Sequence, residues 1–246
     1  MFVSQLAGLV CVLVLLALGA RSGPQPEVLW AALGGAGGVV ALTCFYHALS
    51  IGTMSIVAPI SATGAALPVI VGVATGERPS TVQAVGLAAA VAGVILASRE
   101  IADDAEQAEA ARLSIALAIV AALGFGGFLI AMNAASEDSV PWALLSARGA
   151  SVGLLLLITL VARAPRSVPR AETPSVAAVG VLDLSANGLF ALASTKGLLS
   201  VVGVCGSLYP VTTIVLARVL LGERVRRIQE VGIVAALAGV ALIAAG

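Results

Sequence analysis

Gly76-Glu77-Arg78-Pro79-Ser80-Thr81-Val82-Gln83-Ala84-Val85-Gly86 runs on into Ala89-Ala90 and Ala92-Gly93-Val94. About 146 residues later the pattern returns as Gly222-Glu223-Arg224, with Gln229, Val231-Gly232, Ala235-Ala236 and Ala238-Gly239-Val240. Twelve of the 23 positions from Gly76 to Ser98 are identical to their counterparts. A chain this rich in Ala, Gly and Val would match at roughly two or three by chance. The chain is therefore an internal duplication.

With 60% hydrophobic and 11% charged residues, the chain lacks the charge needed to cover a soluble surface of its size, and its mean hydropathy is +1.10. A net charge of zero without a basic block argues against nucleic acid as a partner. Cys11, Cys44 and Cys205 lie in apolar runs, form no CxxC pair and have no His at metal spacing, so neither metal nor disulfide is expected. Residues 1–20 lack a preceding Lys or Arg and read as a membrane span rather than a leader.

Crossing a hydrocarbon core takes about 20 helical residues. Runs of that kind fall at 2–20, 28–49, 54–75, 82–98, 113–134, 141–162, 175–195, 198–221 and 228–245. They are twice the length of a membrane strand and do not alternate with period two, so they are helices rather than barrel strands. Small residues four apart, at Gly34/Gly38 and Gly149/Gly153, suit close helix–helix approach. The polar stretch 99–112 reads as a linker between a first repeat at 1–98 and a second at 113–246.

Five spans separate the two Gly-Glu-Arg motifs. An odd number puts the copies on opposite sides of the membrane, which makes the repeat inverted. The second half holds five runs and the first only four, because the twin of 113–134 falls upstream of Met1. The expected fold is all-α: a polytopic membrane protein of nine transmembrane helices, an incomplete pair of inverted five-helix repeats, lacking its first helix.

These residues resemble the EamA-type transporters of the drug/metabolite transporter superfamily. The likeness rests on Ser55-Ile56-Val57-Ala58-Pro59 through Gly76-Glu77-Arg78, and on Ser200-Val201-Val202 through Tyr209-Pro210 to Gly222-Glu223-Arg224. The resemblance implies ten helices in two repeats and alternating access around a central cavity. It further implies gradient- or proton-driven export of a small metabolite or drug-like solute across the plasma membrane.

Asp183 and Asn187 stand one turn apart on the seventh run. A carboxylate at mid-membrane costs about 2.5–3.5 kcal/mol on insertion scales, so it must face a cavity or a partner. It reads as a proton carrier or substrate contact, or more plainly as a structural hydrogen-bonding group. Arg148 in the sixth run bears the same cost, and reads as an anion-binding cation or half of an ion pair. Counted from the loop between their runs, Arg148 lies deeper than Asp183 by about 9 Å, so a pair is allowed but not compelled. Tyr46, His47 and Tyr209 are lesser candidates for a substrate or proton pathway. Pro59, Pro68 and Pro210 free carbonyls in mid-span. Glu77 and Glu223 each precede a new helix, where a first-turn carboxylate favours the positive helix end. Lys196, Arg21 and Arg218 lie near run ends, where they snorkel to the interface.

No GxSxG, HExxH or P-loop is present, so no enzyme and no cofactor is expected. The rival readings are a non-transporting membrane scaffold or an inactive truncated transporter, and after them an intramembrane enzyme. The expected partners are a small solute and lipid; a homodimer is left open. The Lys/Arg balance of the loops puts Met1 in the cytoplasm, whereas the resemblance implies the reverse.

Overall fold

The computed structural model describes residues 1–19, 23, 26–52, 57, 60–97, 108–161, 169, 171–206 and 227–245. These residues form nine α-helices and no strand. The helices are α1 (Phe2–Gly19), α2 (Val28–Ile51), α3 (Ala66–Ala74), α4 (Thr81–Ala97), α5 (Ala108–Ser136), α6 (Val140–Val161), α7 (Thr173–Ser194), α8 (Leu199–Gly206) and α9 (Arg227–Ala245). A 3-10 turn at Thr63–Ala65 runs directly into α3. Chains this apolar take helices because every backbone N–H and C=O must find its partner within the segment when no water is near. Among the described residues, four stretches are long and apolar enough to cross a membrane: Val28–Ile51, Arg112–Ser136, Val140–Val161 and Thr173–Ser194. Helix α5 starts at Ala108, so the end of the expected linker is already helical.

The described residues group into two compact units. One comprises Met1–Val40 and Gly127–Gly197: α1, the first part of α2, the end of α5, α6 and α7. Here α1 lies against both α6 and α7. Backbone meets backbone where α7 crosses α1, since a Cβ at Gly180 would strike the Ser4 carbonyl. Two serines of α6 donate to carbonyls of α2, Ser146 Oγ to Val28 at 2.7 Å and Ser151 Oγ to Gly35 at 2.9 Å. Such bonds hold helices together where burial of apolar surface supplies little drive. Gly34 and Gly38 do pack closely, against Ala131 and Phe128 of α5. Gly149 and Gly153 do not: nothing lies within 4 Å of a Cβ at either. They fall on the face of α6 away from Ala147 and Ser151, which make the contacts instead.

The other unit comprises Ala41–Gly126 and Leu198–Gly246. Its most extensive pairing is α4 with α9, two helices that the duplication relates. Gly86, Leu87, Ala90 and Gly93 form the buried stripe of α4, and Gly232 and Gly239 are buried on α9. Of the glycines that the repeat preserves, Gly239 is one that lets the two helices touch. A Cβ at Gly239 would lie 2.5 Å from the Ala90 nitrogen and 2.6 Å from the Gly86 carbonyl. We expect Gly239→Leu to cost about 3 kcal/mol by forcing the helices apart. Gly149→Leu, which meets open space, should stay within about 0.5 kcal/mol. Thermal unfolding of the detergent-purified variants reads the difference.

The turn from α3 to α4 explains the repeated motif. Gly76 takes a φ of 102°, where any side chain would be strained. Its N–H bonds to the Val73 carbonyl and the Glu77 N–H to the Gly72 carbonyl, a Schellman cap on α3. Ser80 and Gln83 then form a reciprocal capping box on α4, at 2.9 and 3.1 Å. Between these caps, the Glu77 carboxylate does not serve the helix that follows it. It accepts from the backbone N–H groups of Leu199 and Ser200, the latter at 3.0 Å, and so caps α8. Gly72 leaves room for that carboxylate, which a Cβ there would strike. Glu223 lies outside the described residues.

Candidate functional site

Helix α6 buries Ala143, Leu144, Ala147, Arg148, Ser151 and Leu155, a single face at helical spacing. Arg148 therefore points into the packed interior of its unit, its side chain only 5% exposed. Its Nη1 lies 2.7 Å from Asp183 Oδ2 on α7, and the Asp183 side chain is 45% exposed. The same Nη1 donates to Gln5 Oε1 on α1 at 2.5 Å. Three helices thus converge on one guanidinium, and they contain no other Asp, Glu, Lys, Arg or His. Asn187 stands one turn beyond Asp183, half-buried.

The pair closes because the helices are placed more evenly than the sequence suggested. Arg148 lies 13 residues before the end of α6 at Val161, and Asp183 ten residues after the start of α7 at Thr173. Three residues of offset amount to about 4.5 Å rather than 9 Å, within the reach of an arginine. Pro174 in the first turn of α7 fixes that early start.

The electrostatics are lopsided. A cation taken out of water is tolerated only with a good partner. Asp183 supplies the charge and Gln5 a further acceptor, both on one nitrogen. Nη2, also buried, has no hydrogen-bond partner among the described residues. The cluster is a neutralised charge with half of its fork unused.

Tyr46 and His47 fall near the end of α2 in the other unit, both exposed. The Tyr46 ring tilts on Phe45 at a centroid distance of 5.9 Å, and the His47 carbonyl accepts from Ser50 Oγ at 2.7 Å. Tyr209 lies outside the described residues. Gln5 was not anticipated: a lone amide in an apolar first run was its only signal.

A family model for the EamA-like transporter family matches residues 1–99 and 112–245. A solved crystal structure superposes with a TM-score of 0.73 at 16% identity, covering 98% of this chain and 82% of the other, a likeness of fold alone. A search of curated proteins returned no match. Together, the apolar helices and the family match make this a multi-pass membrane protein. The chain belongs to the EamA-like transporter family.

Proposed function

We propose that the chain is a secondary transporter that exports a small metabolite or drug-like solute by alternating access, driven by an ion or solute gradient. In this reading nine spans of two inverted repeats sit in the plasma membrane, and the chain acts as neither an enzyme nor a cofactor carrier. The observation that carries the site is the Arg148–Asp183 pair on helices otherwise free of charge. Charges buried at bilayer depth are kept where they handle substrate or protons. Packing of α4 on α9 and of α1 on α6, each broadly related to its partner by the duplication, supports a paired-repeat scaffold. Asn187, one turn from Asp183, is the next polar group on that face; Tyr46, His47 and Tyr209 are secondary pathway candidates.

The test is solute flux in proteoliposomes, screened across amino acids, organic acids and drug-like amines. The expected result is a driven, saturable flux that Asp183→Asn abolishes while the variant stays folded. Flux unchanged in that variant removes Asp183 from the pathway, and absence of any flux favours a scaffold.

A further inference from the structure

Among the described residues, both polar partners of the buried guanidinium, Asp183 and Gln5, lie on Nη1. A planar guanidinium offers parallel N–H donors that match a carboxylate bidentately. Asp183 uses it end-on, through a single oxygen, and shares that nitrogen with Gln5. Among the described residues, the Nη2 group is left as a buried donor without an acceptor. Leaving such a donor unpaired is costly, and more so for a charged group. An incoming carboxylate removes that penalty, which Asp183 in its present pose does not.

Charge balance then dictates what happens to Asp183. Arg148 and Asp183 together are neutral. Adding an anion would leave a net negative charge on three helices that hold no other Asp, Glu, Lys, Arg or His, and the Cys11 thiol of α1 has no positive form to offset it. The cost is avoided when Asp183 takes up one proton as the anion arrives. Its carboxylate becomes a carboxylic acid, the Arg148–Asp183 ion pair is exchanged for an Arg148–ligand pair, and the site stays neutral. Asp183 is the less enclosed partner of the pair: its side chain is 45% exposed, while the arginine it neutralises is buried. Gln5, which carries no charge, holds Nη1 through the exchange. The only charged group facing Asp183 from the helices packed against it, α1 and α6, is Arg148.

From this geometry we infer that the Gln5–Arg148–Asp183 cluster is a proton-gated anion site, in which a small carboxylate displaces Asp183 from Arg148 as Asp183 is protonated. The inference rests on the transporter reading and narrows its substrate class to carboxylates. One proton and one monoanion occupy the site together and leave it together. Translocation of a monocarboxylate is therefore electroneutral, with the proton travelling in the same direction as the anion. Export then runs down the solute's own gradient and carries a proton out with it.

The test uses full-length protein in nanodiscs of phosphatidylcholine, with radiolabelled acetate, benzoate and succinate as probes. Binding of at least one probe is expected to take up protons from a weakly buffered medium and to weaken as pH rises. In infrared difference spectra the same addition should raise the C=O band of a protonated carboxyl group. Asp183→Asn should bind the probe with no proton uptake, no such band and no loss at high pH. Arg148→Met should lose at least tenfold in affinity, and Arg148→Lys less. Should Asp183→Asn fail to fold, the proton uptake, pH dependence and infrared band of the wild type decide alone.

A parallel preparation with anionic phosphatidylglycerol separates the sources of the carboxylate-like ligand. Competition of this lipid with the probe, without any probe flux, would assign the site to a headgroup and overturn the solute proposal. Binding of no probe, or binding that takes up no proton and ignores pH, also overturns it. Asp183-dependent flux of a cationic or neutral solute alone would refute the anion site while leaving the transporter reading intact. Absence of any flux with proton-linked binding preserved would do the opposite.

Discussion

Asp183→Ala is expected to destabilise the protein by about 3 kcal/mol, and Arg148→Met by about 1 kcal/mol or less, although each removes the same ion pair. The asymmetry follows from exposure. Without Asp183, a guanidinium that is 5% exposed keeps its charge with only Gln5 as an acceptor. Breaking a buried pair in that way costs about 3–5 kcal/mol, and the Gln5 bond puts this case at the lower end. Without Arg148, the remaining carboxylate is 45% exposed, so less of its charge is enclosed among apolar side chains. Methionine fills most of the volume the arginine stem occupied. Asp183→Asn should fall between, because its amide oxygen still accepts from Nη1. Combining Arg148→Met with Asp183→Leu should recover most of the loss, since apolar residues often replace buried ion pairs without penalty. Unfolding monitored in detergent by the intrinsic fluorescence of Trp30 and Trp142 measures all four. Equal losses for the two single variants would mean that the arginine is not buried as described.

Glu77→Ala is expected to cost about 2–4 kcal/mol, a large effect for a side chain in a turn. Its two oxygens accept from two backbone N–H groups at the start of α8. Hydrogen bonds to a charged group contribute about 1.5–3 kcal/mol each in favourable settings, and partial exposure of the turn trims that sum. The N-terminal half of the helix dipole adds to the attraction. Glu77→Gln keeps one acceptor oxygen and should lose about half as much. Glu77→Asp, one methylene shorter, should behave more like alanine. Amide exchange supplies the local readout: the Leu199 and Ser200 protons should lose protection in Glu77→Ala while those of α1 keep theirs. Gly72→Ala should mimic the loss, because the new methyl group takes the carboxylate's place.

Hydropathy made the helices legible, since apolar runs of this length admit one backbone solution in lipid. The duplication marked Gly86, Gly93, Gly232 and Gly239, and the structure puts these glycines on buried faces of α4 and α9. Composition does not say which face of a helix is covered. Gly34/Gly38 and Gly149/Gly153 therefore read alike, yet only the first pair packs. The cost of burying charge singled out Arg148 and Asp183, but their meeting was undecided because an error of two residues in a helix boundary shifts depth by about 3 Å. Gln5 carried no charge to draw notice. Glu77 was read with the helix next in sequence, since a turn carboxylate gives no sign of a partner 122 residues away.

That separation has a consequence during synthesis. At about 5–20 residues per second, Glu77 leaves the ribosome some 6–24 seconds before Leu199 exists to receive it. Gln5 waits longer still for Arg148, 143 positions downstream. Both compact units join an early stretch of chain to a late one. Neither can close before its late stretch, beginning at Gly127 in one and at Leu198 in the other, has been made, so the first half waits in the bilayer without its final partners.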